Sequence, residues 1–219
     1  MPKRPLILLS NDDGIGAPGL AALIEAVQDL GDLLVAAPDR ERSAASHSIT
    51  LNSPLRVDEL APGRFAIDGT PVDCVYLAAL HLAARRPNLC ISGINDGYNL
   101  GSDVFYSGTV AAAVEATLRG VPSIAVSAER HRPLDFRAGA RFVRALAEET
   151  LARANDRNPF PEGALLNVNV PAGASGAYAV TFLGRRVYRD QVEVRADLRG
   201  RSYYWIGGTG GKSHGPAGQ

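Results

Sequence analysis

The sequence predicts an α/β protein, a mostly parallel sheet with helices on both faces, followed by a β-rich C-terminal arm or small lobe. Short, continuously apolar runs such as Leu6-Ile7-Leu8-Leu9 have the pattern of strands buried on both faces. They alternate with longer segments whose apolar residues recur at helical spacing, and that alternation is the signature of a parallel sheet under two helical layers. The chain of 219 residues, 46% hydrophobic and 21% charged, is large enough to bury such a core without disulfides. Lysine plus arginine equals aspartate plus glutamate at 23 each, which argues against a basic nucleic-acid face or an acidic disordered tail. Cys74 and Cys90 stand in apolar surroundings and read as small core residues rather than as a disulfide framework or zinc cluster.

The first strand ends in the turn chemistry of Ser10-Asn11-Asp12-Asp13-Gly14. A helix is expected from about Ala17 to Leu30, with Leu20, Leu23, Ile24 and Val27 on one face and Gly31 as its C-cap. Leu33–Ala37 forms a second buried strand closed by Pro38, and a polar loop runs from Asp39 to about Thr50. Leu55–Glu59 and Arg64–Asp68 flank Ala-Pro-Gly and read as a β-hairpin at about 55–68. Val72–Ala84 is helical, with Thr70 as N-cap and Pro71 in the first helical position. Leu89–Ser92 is a third buried strand, and a glycine-rich stretch follows from Gly93 to Gly108. Thr109–Arg119 is a helix, Ser123–Ser127 a fourth strand, Phe136 to about Asn155 a long amphipathic helix, and Leu165–Val170 a fifth strand. The boundary expected between core and arm lies at residues 176 and 177. The N-terminal apolar run is too short for a signal peptide, and no stretch approaches a membrane span, so a cytoplasmic protein is expected.

Ligands of open parallel sheets bind beyond the carboxyl ends of the strands. The loops there carry Asn11-Asp12-Asp13-Gly14, then Pro38 to Ser43, then Ser92 to Gly97. Two adjacent inward carboxylates repel each other, and a hard divalent cation such as Mg²⁺ or Mn²⁺ removes that conflict. Asp12, Asp13, a hydroxyl such as Ser43 and an amide oxygen such as Asn95 are an appropriate oxygen set. N-D-D-G is also ordinary turn vocabulary; its place at the end of the first buried strand favours the metal. Tyr106-Ser107-Gly108-Thr109 opens a helix whose free N–H groups suit a phosphate, although Ser107 would serve equally as a plain cap. Neither a P-loop nor a G-x-G-x-x-G fingerprint is present. His47 reads either as a general base or phosphate contact or as a solvated loop residue, and His81 as structural.

The assembled motifs resemble the SurE family, stationary-phase survival proteins that are metal-dependent nucleoside monophosphate phosphatases. The resemblance runs through Leu8–Gly14, Ala17-Pro18-Gly19, Ala37–Arg40, Arg42-Ser43, Gly69-Thr70-Pro71 and Asp73-Cys74-Val75. It is densest over Ser92–Asn95, Gly97, Asn99–Gly101 and Tyr106–Ala113, and continues in Leu166–Pro171 and Tyr204–Gly207. It implies a Rossmann-like core and one divalent cation (Mg²⁺ or Mn²⁺) per subunit, held by Asp12, Asp13, Ser43 and Asn95. It also implies a phosphate pocket that includes Asn99, Ser107 and Thr109, beside Asn11 and Gly108 of the same two loops. The activity implied is hydrolysis of nucleoside 5′-monophosphates, with 3′-monophosphates and short polyphosphate as further substrates. Asp12 and Asp13 are then the catalytic pair, with Asp12 activating the water. A homodimer or homotetramer built partly through the arm is implied as well, with neither duplex nucleic acid nor membrane as partner. The family pattern continues past Gly208–Gly218 into a further strand and a terminal helix that this sequence does not contain. The competing class is a Mg²⁺-binding phospho-receiver domain. Such a domain needs a phosphorylatable aspartate after the third strand, where this chain has Gly93-Ile94-Asn95 and then Asp96. A third option is a metal-dependent sugar- or nucleotide-binding protein without catalysis.

Overall fold

The computed structural model describes residues 4–131, 133–153, 158–184 and 192–206. Asn155, Gly207 and the stretch Gly208–Gly218 of the sequence reading lie outside them. Seven strands form one sheet in the order β3-β4-β2-β1-β5-β6-β7. They are β1 (Leu6–Ser10), β2 (Asp32–Pro38), β3 (Val57–Ala61), β4 (Arg64–Ile67), β5 (Leu89–Asp96), β6 (Ser123–Ala128) and β7 (Leu166–Val170). All neighbours run parallel except β3, which pairs antiparallel with β4 as the expected hairpin. The sheet grows in one direction from β1 through β2 and in the other through β5, so the strand order reverses at the β1–β5 pair.

Strand β1 is buried along its whole length, with Ile7, Leu8 and Leu9 fully excluded from solvent. Burial of each such side chain stabilises the fold by about 1.5–3 kcal/mol. Alternation along β1 divides the core. Ile7 and Leu9 face α1 (Pro18–Val27) and α4 (Arg137–Arg153), packing with Leu20, Leu23, Val27 and Val143. Leu6 and Leu8 face α2 (Pro71–Leu77) and α3 (Gly108–Leu118), packing with Cys74, Val75, Ala112 and Ala116. Both cysteines are free core residues, and burial pushes the Cys90 thiol up to about 12.

Several boundaries differ from the sequence reading for identifiable reasons. Helix α2 begins as expected, with Thr70 accepting the Asp73 amide and Asp73 returning a bond to the Thr70 amide, a capping box. Its regular part ends at Leu77, and a π-helical turn over Ala78–Leu82 leaves His81 exposed rather than packed. Strand β5 continues four residues past Ser92, because a register shift between Ser92 and Asn95 carries Gly93-Ile94 and lets pairing with β6 resume.

Residues 180–219, together with Leu100–Asp103, form a second unit. Its described part is an antiparallel hairpin of β8 (Val192–Ala196) and β9 (Ser202–Ile206). Asp197 closes the turn by accepting the backbone amides of Arg199 and Arg201, with the left-handed Gly200 between them. Val194, Tyr204, Trp205 and Ile206 of the hairpin are exposed. No described helix is long and apolar enough to cross a membrane.

Candidate functional site

The carboxyl ends of β1 and β5, the loop after β2 and the start of α3 meet at the reversal of strand order. The turn after β1 is set by Asn11, which is buried. Its Nδ2 donates to the Gly14 carbonyl at 2.9 Å, and its Oδ1 accepts the Gly14 amide at 3.2 Å. Asn11 is thus spent on the turn that presents Asp12 and Asp13. Gly14 has φ +100°, and a Cβ there would stand 3.0 Å from the Arg40 backbone, so the β2 loop crosses directly over the turn. The Arg42 amide completes the crossing by donating to the Asp12 carbonyl at 2.7 Å.

Asp12 is almost wholly buried. Thr109, in the first turn of α3, donates its hydroxyl to Asp12 Oδ1. Gly108 makes that approach possible, since a Cβ at this position would lie 2.7 Å from the Asp12 Cβ. Burial holds the Asp12 carboxyl above its ordinary range, against the pull of the Thr109 hydroxyl. Asp13 is partly exposed and its pKa is raised to about 6, first by burial and then by the charge of Asp12. The Asp96 backbone N–H donates to Asp13, which draws the end of β5 to the acid pair. Among the described residues neither carboxylate has a salt-bridge partner. Once ionised, the pair is a concentrated negative charge with no salt-bridge partner among the described residues.

The remaining candidates lie in the loop after β2, at the end of β5 and just beyond it, and at the start of α3. Asn95 directs its Nδ2 to the Gly97 carbonyl at 2.7 Å. Ser43 lies one residue beyond the Arg42–Asp12 contact and donates to Glu41 at 2.6 Å, which leaves its oxygen lone pairs as acceptors. Ser107 caps α3 by accepting the Val110 amide at 3.1 Å, so the structural role is real, and its own proton is not used by that bond. Asn99 is buried, with its Nδ2 on Ser127 Oγ at 2.8 Å. The described residues contain no group of three His, Cys, Asp or Glu side chains arranged for a metal. A cation here would rest on two carboxylates and neutral oxygens.

Sequence reasoning missed the influence of Glu41 and the partner of His47. Glu41 sits close enough to raise both Asp12 and Asp13. It lies two residues before Ser43, in a loop where its acid could have been counted with the site. His47 bonds through Nε2 to the buried Glu115 of α3 at 3.1 Å. Glu115 also accepts from Arg119 Nε at 2.7 Å, and the Arg119 guanidinium lies 4.4 Å over the Tyr76 ring. His47 thus ties the β2 loop to α3 and is not a loose loop residue. The Ser46 amide strengthens the tie by donating to the Tyr106 carbonyl at 3.1 Å. No local pattern announces contacts spanning 68 residues.

Comparison with known proteins identifies the relatives of this arrangement. The family described as Survival protein SurE matches residues 7–190. The 5′-nucleotidase SurE of Myxococcus xanthus is 54% identical over 210 residues, covering 95% of this chain and 78% of the relative. Its counterpart from Sorangium cellulosum is 52% identical over 211 residues, covering 94% and 80%. The crystal structure of the SurE protein from Aquifex aeolicus superposes with a TM-score of 0.79 at 39% identity, over 93% of this chain and 82% of that one. The matched span contains every residue of the acid pair, its covering loop and the α3 start, and the chain belongs to the SurE family.

Proposed function

We propose that this chain is a metal-dependent phosphomonoesterase that hydrolyses nucleoside 5′-monophosphates to nucleoside and phosphate. The observation that carries the reading is the unpaired Asp12–Asp13 couple set against the N-terminus of α3. A buried couple of like charges lacks a counter-ion, and the start of a helix offers N–H donors to an anion. The curated relatives named as 5′-nucleotidases support the same substrate class.

The donor chemistry fits one hard cation, Mg²⁺ or Mn²⁺, with Asp12, Asp13, Ser43 and Asn95 as its ligands. When bound, such a cation withdraws charge from a phosphate oxygen and orients a water. Asp12 would accept that water's proton, its carboxylate held in place by the Thr109 hydroxyl on Oδ1. The water oxygen would form a bond to phosphorus as the ester P–O bond breaks, and the proton taken up by Asp12 would pass to the leaving nucleoside oxygen. Ser107, the α3 amides and Asn99 hold the other phosphate oxygens, while Asn11 and Gly108 shape the loops that approach them. Nucleoside 3′-monophosphates and short polyphosphate present the same terminal group and are further substrates. The family match disfavours the phospho-receiver reading.

The same reading makes residues 1–176 the catalytic core and residues 177–219 an arm that joins copies into a homodimer or homotetramer. It also puts the protein in the cytoplasm. The exposed Tyr204, Trp205 and Ile206 of the hairpin support the role of the arm. A panel of nucleoside monophosphates and ATP, assayed for phosphate release with Mg²⁺ and Mn²⁺, tests the function. No P-loop lysine is present for β- and γ-phosphates, so monophosphates should turn over faster. Faster release from ATP than from every monophosphate would refute the pocket.

A further inference from the structure

Strand β7 reads Leu166-Asn167-Val168-Asn169-Val170, a strict alternation of apolar and amide residues. Its apolar set packs with α4 in the larger core cluster. The two asparagines point to the other face, and both reach one residue. Asn169 Nδ2 donates to the Asn99 carbonyl at 3.1 Å, and Asn169 Oδ1 accepts the Asn99 amide at 2.8 Å. Asn167 Nδ2 donates to the same carbonyl at 3.0 Å. Ser127, the β6 residue in register with Asn169, receives the Asn99 side-chain amide at 2.8 Å.

Asn99 is therefore held at its backbone N–H, its carbonyl and its side chain, in a loop that has no strand partner of its own. Asn169 copies the pairing of a neighbouring strand, fixing the height of the loop above the sheet edge. Ser127 Oγ accepts one Nδ2 hydrogen of Asn99, which anchors the amide at one end and leaves its second hydrogen outside that bond. An amide reversed by half a turn would present Oδ1 to an anion and repel it.

We propose that Asn169, assisted by Asn167 and Ser127, is a positioning residue that holds Asn99 as a hydrogen-bond donor to the phosphate of the substrate. The inference rests on the reading of Asn99 as a phosphate ligand given above. Asn169 itself touches no reacting atom. It acts through Asn99, and the consequence is a coupling between two positions 70 residues apart in the chain.

The test is a cycle of Asn99→Ala, Asn169→Ala and the double variant on the full chain. The primary readout is the dissociation constant of inorganic phosphate with Mn²⁺ present, followed by KM and kcat for a nucleoside 5′-monophosphate, the Mn²⁺ dissociation constant and thermal unfolding. Each single variant should weaken phosphate binding and raise KM about tenfold, the scale of one or two lost hydrogen bonds. The double variant should be no worse than Asn99→Ala alone, with Mn²⁺ affinity unchanged throughout. Losses that multiply to about a hundredfold in the double variant would overturn the proposal, as would an Asn169→Ala protein with native phosphate affinity. If Asn169→Ala fails to fold, Asn167→Ala and Ser127→Ala each remove a single bond to Asn99, and unaltered phosphate binding in both overturns it. Native phosphate affinity in Asn99→Ala would refute the phosphate role of Asn99 and the proposal with it. If the wild type binds phosphate but shows no turnover, the proposed function alone is refuted.

Discussion

Replacing Gly108 by alanine separates the fold from the chemistry more cleanly than any change to a charged residue. The new methyl carbon would lie 2.7 Å from the Asp12 Cβ, 3.0 Å from its Oδ2 and 3.0 Å from Pro71 Cγ. Ordinary van der Waals contact begins at 3.4 Å, so Asp12 and α3 must separate by about 0.7 Å. The Asp12 Cβ is not the far end of a flexible side chain and cannot swing aside. Overpacking of this kind costs about 1–3 kcal/mol, while alanine in place of glycine at a helical position returns about 1 kcal/mol. The net loss of about 0–2 kcal/mol corresponds to a fall in Tm of no more than about 8 °C for a chain of this size. Activity should respond far more, because a misplacement approaching 1 Å costs about a hundredfold when geometry sets the rate. Steady-state kinetics on protein checked by circular dichroism would show kcat/KM down about a hundredfold in a folded variant. A Gly108→Ala enzyme within threefold of wild type would refute the argument that the close α3–Asp12 contact positions the carboxylate.

Further outcomes follow from the same geometry. Asp12→Asn keeps shape but removes the proton acceptor and a negative ligand, and should lower kcat by orders of magnitude; Ser107→Ala removes a neutral donor while the helix start remains, at about 1.5–3 kcal/mol, or roughly 10–150-fold shared between KM and kcat. Near-normal kcat in Asp12→Asn would place the chemistry elsewhere. The pKa of Asp13, raised from 3.8 to about 6, has a definite sign for pH dependence. An acid raised by folding disfavours the folded state once ionised, so metal-free protein should lose stability as pH rises from about 4 to about 6, with no further change from this group above that. Since the cation must displace that proton, Mn²⁺ affinity should fall up to about tenfold per pH unit below about 6, and calorimetric titrations showing flat affinity there would contradict the assignment.

What the sequence made legible was local. Leu6–Leu9 announced a buried strand because four consecutive apolar residues followed by turn chemistry are too few for a buried helix. Thr70-Pro71 announced the start of α2 because cap chemistry is confined to a few neighbouring residues. The acid pair stood out because Asp12 and Asp13 are adjacent and follow that strand. What stayed hidden depended on distant partners. Gly93 looked like the end of β5, since a glycine in a strand is uninformative until the partner strand shows pairing resuming at Asn95 and Asp96. His47 gave no sign of Glu115, and the alternation of Asn167 and Asn169 was visible without any hint that both face Asn99. The Ser107 hydroxyl was read as cap or phosphate donor, and the capping bond uses only its acceptor side.

Phosphate release from a nucleoside 5′-monophosphate, followed through exhaustive chelation and readdition of Mg²⁺ or Mn²⁺, addresses the central claim most directly. The claim is that the Asp12–Asp13 couple works only around a divalent cation. Turnover should vanish on chelation and return with either cation in the wild type, and should not return in Asp12→Asn. Full activity in metal-free wild-type protein would contradict the account.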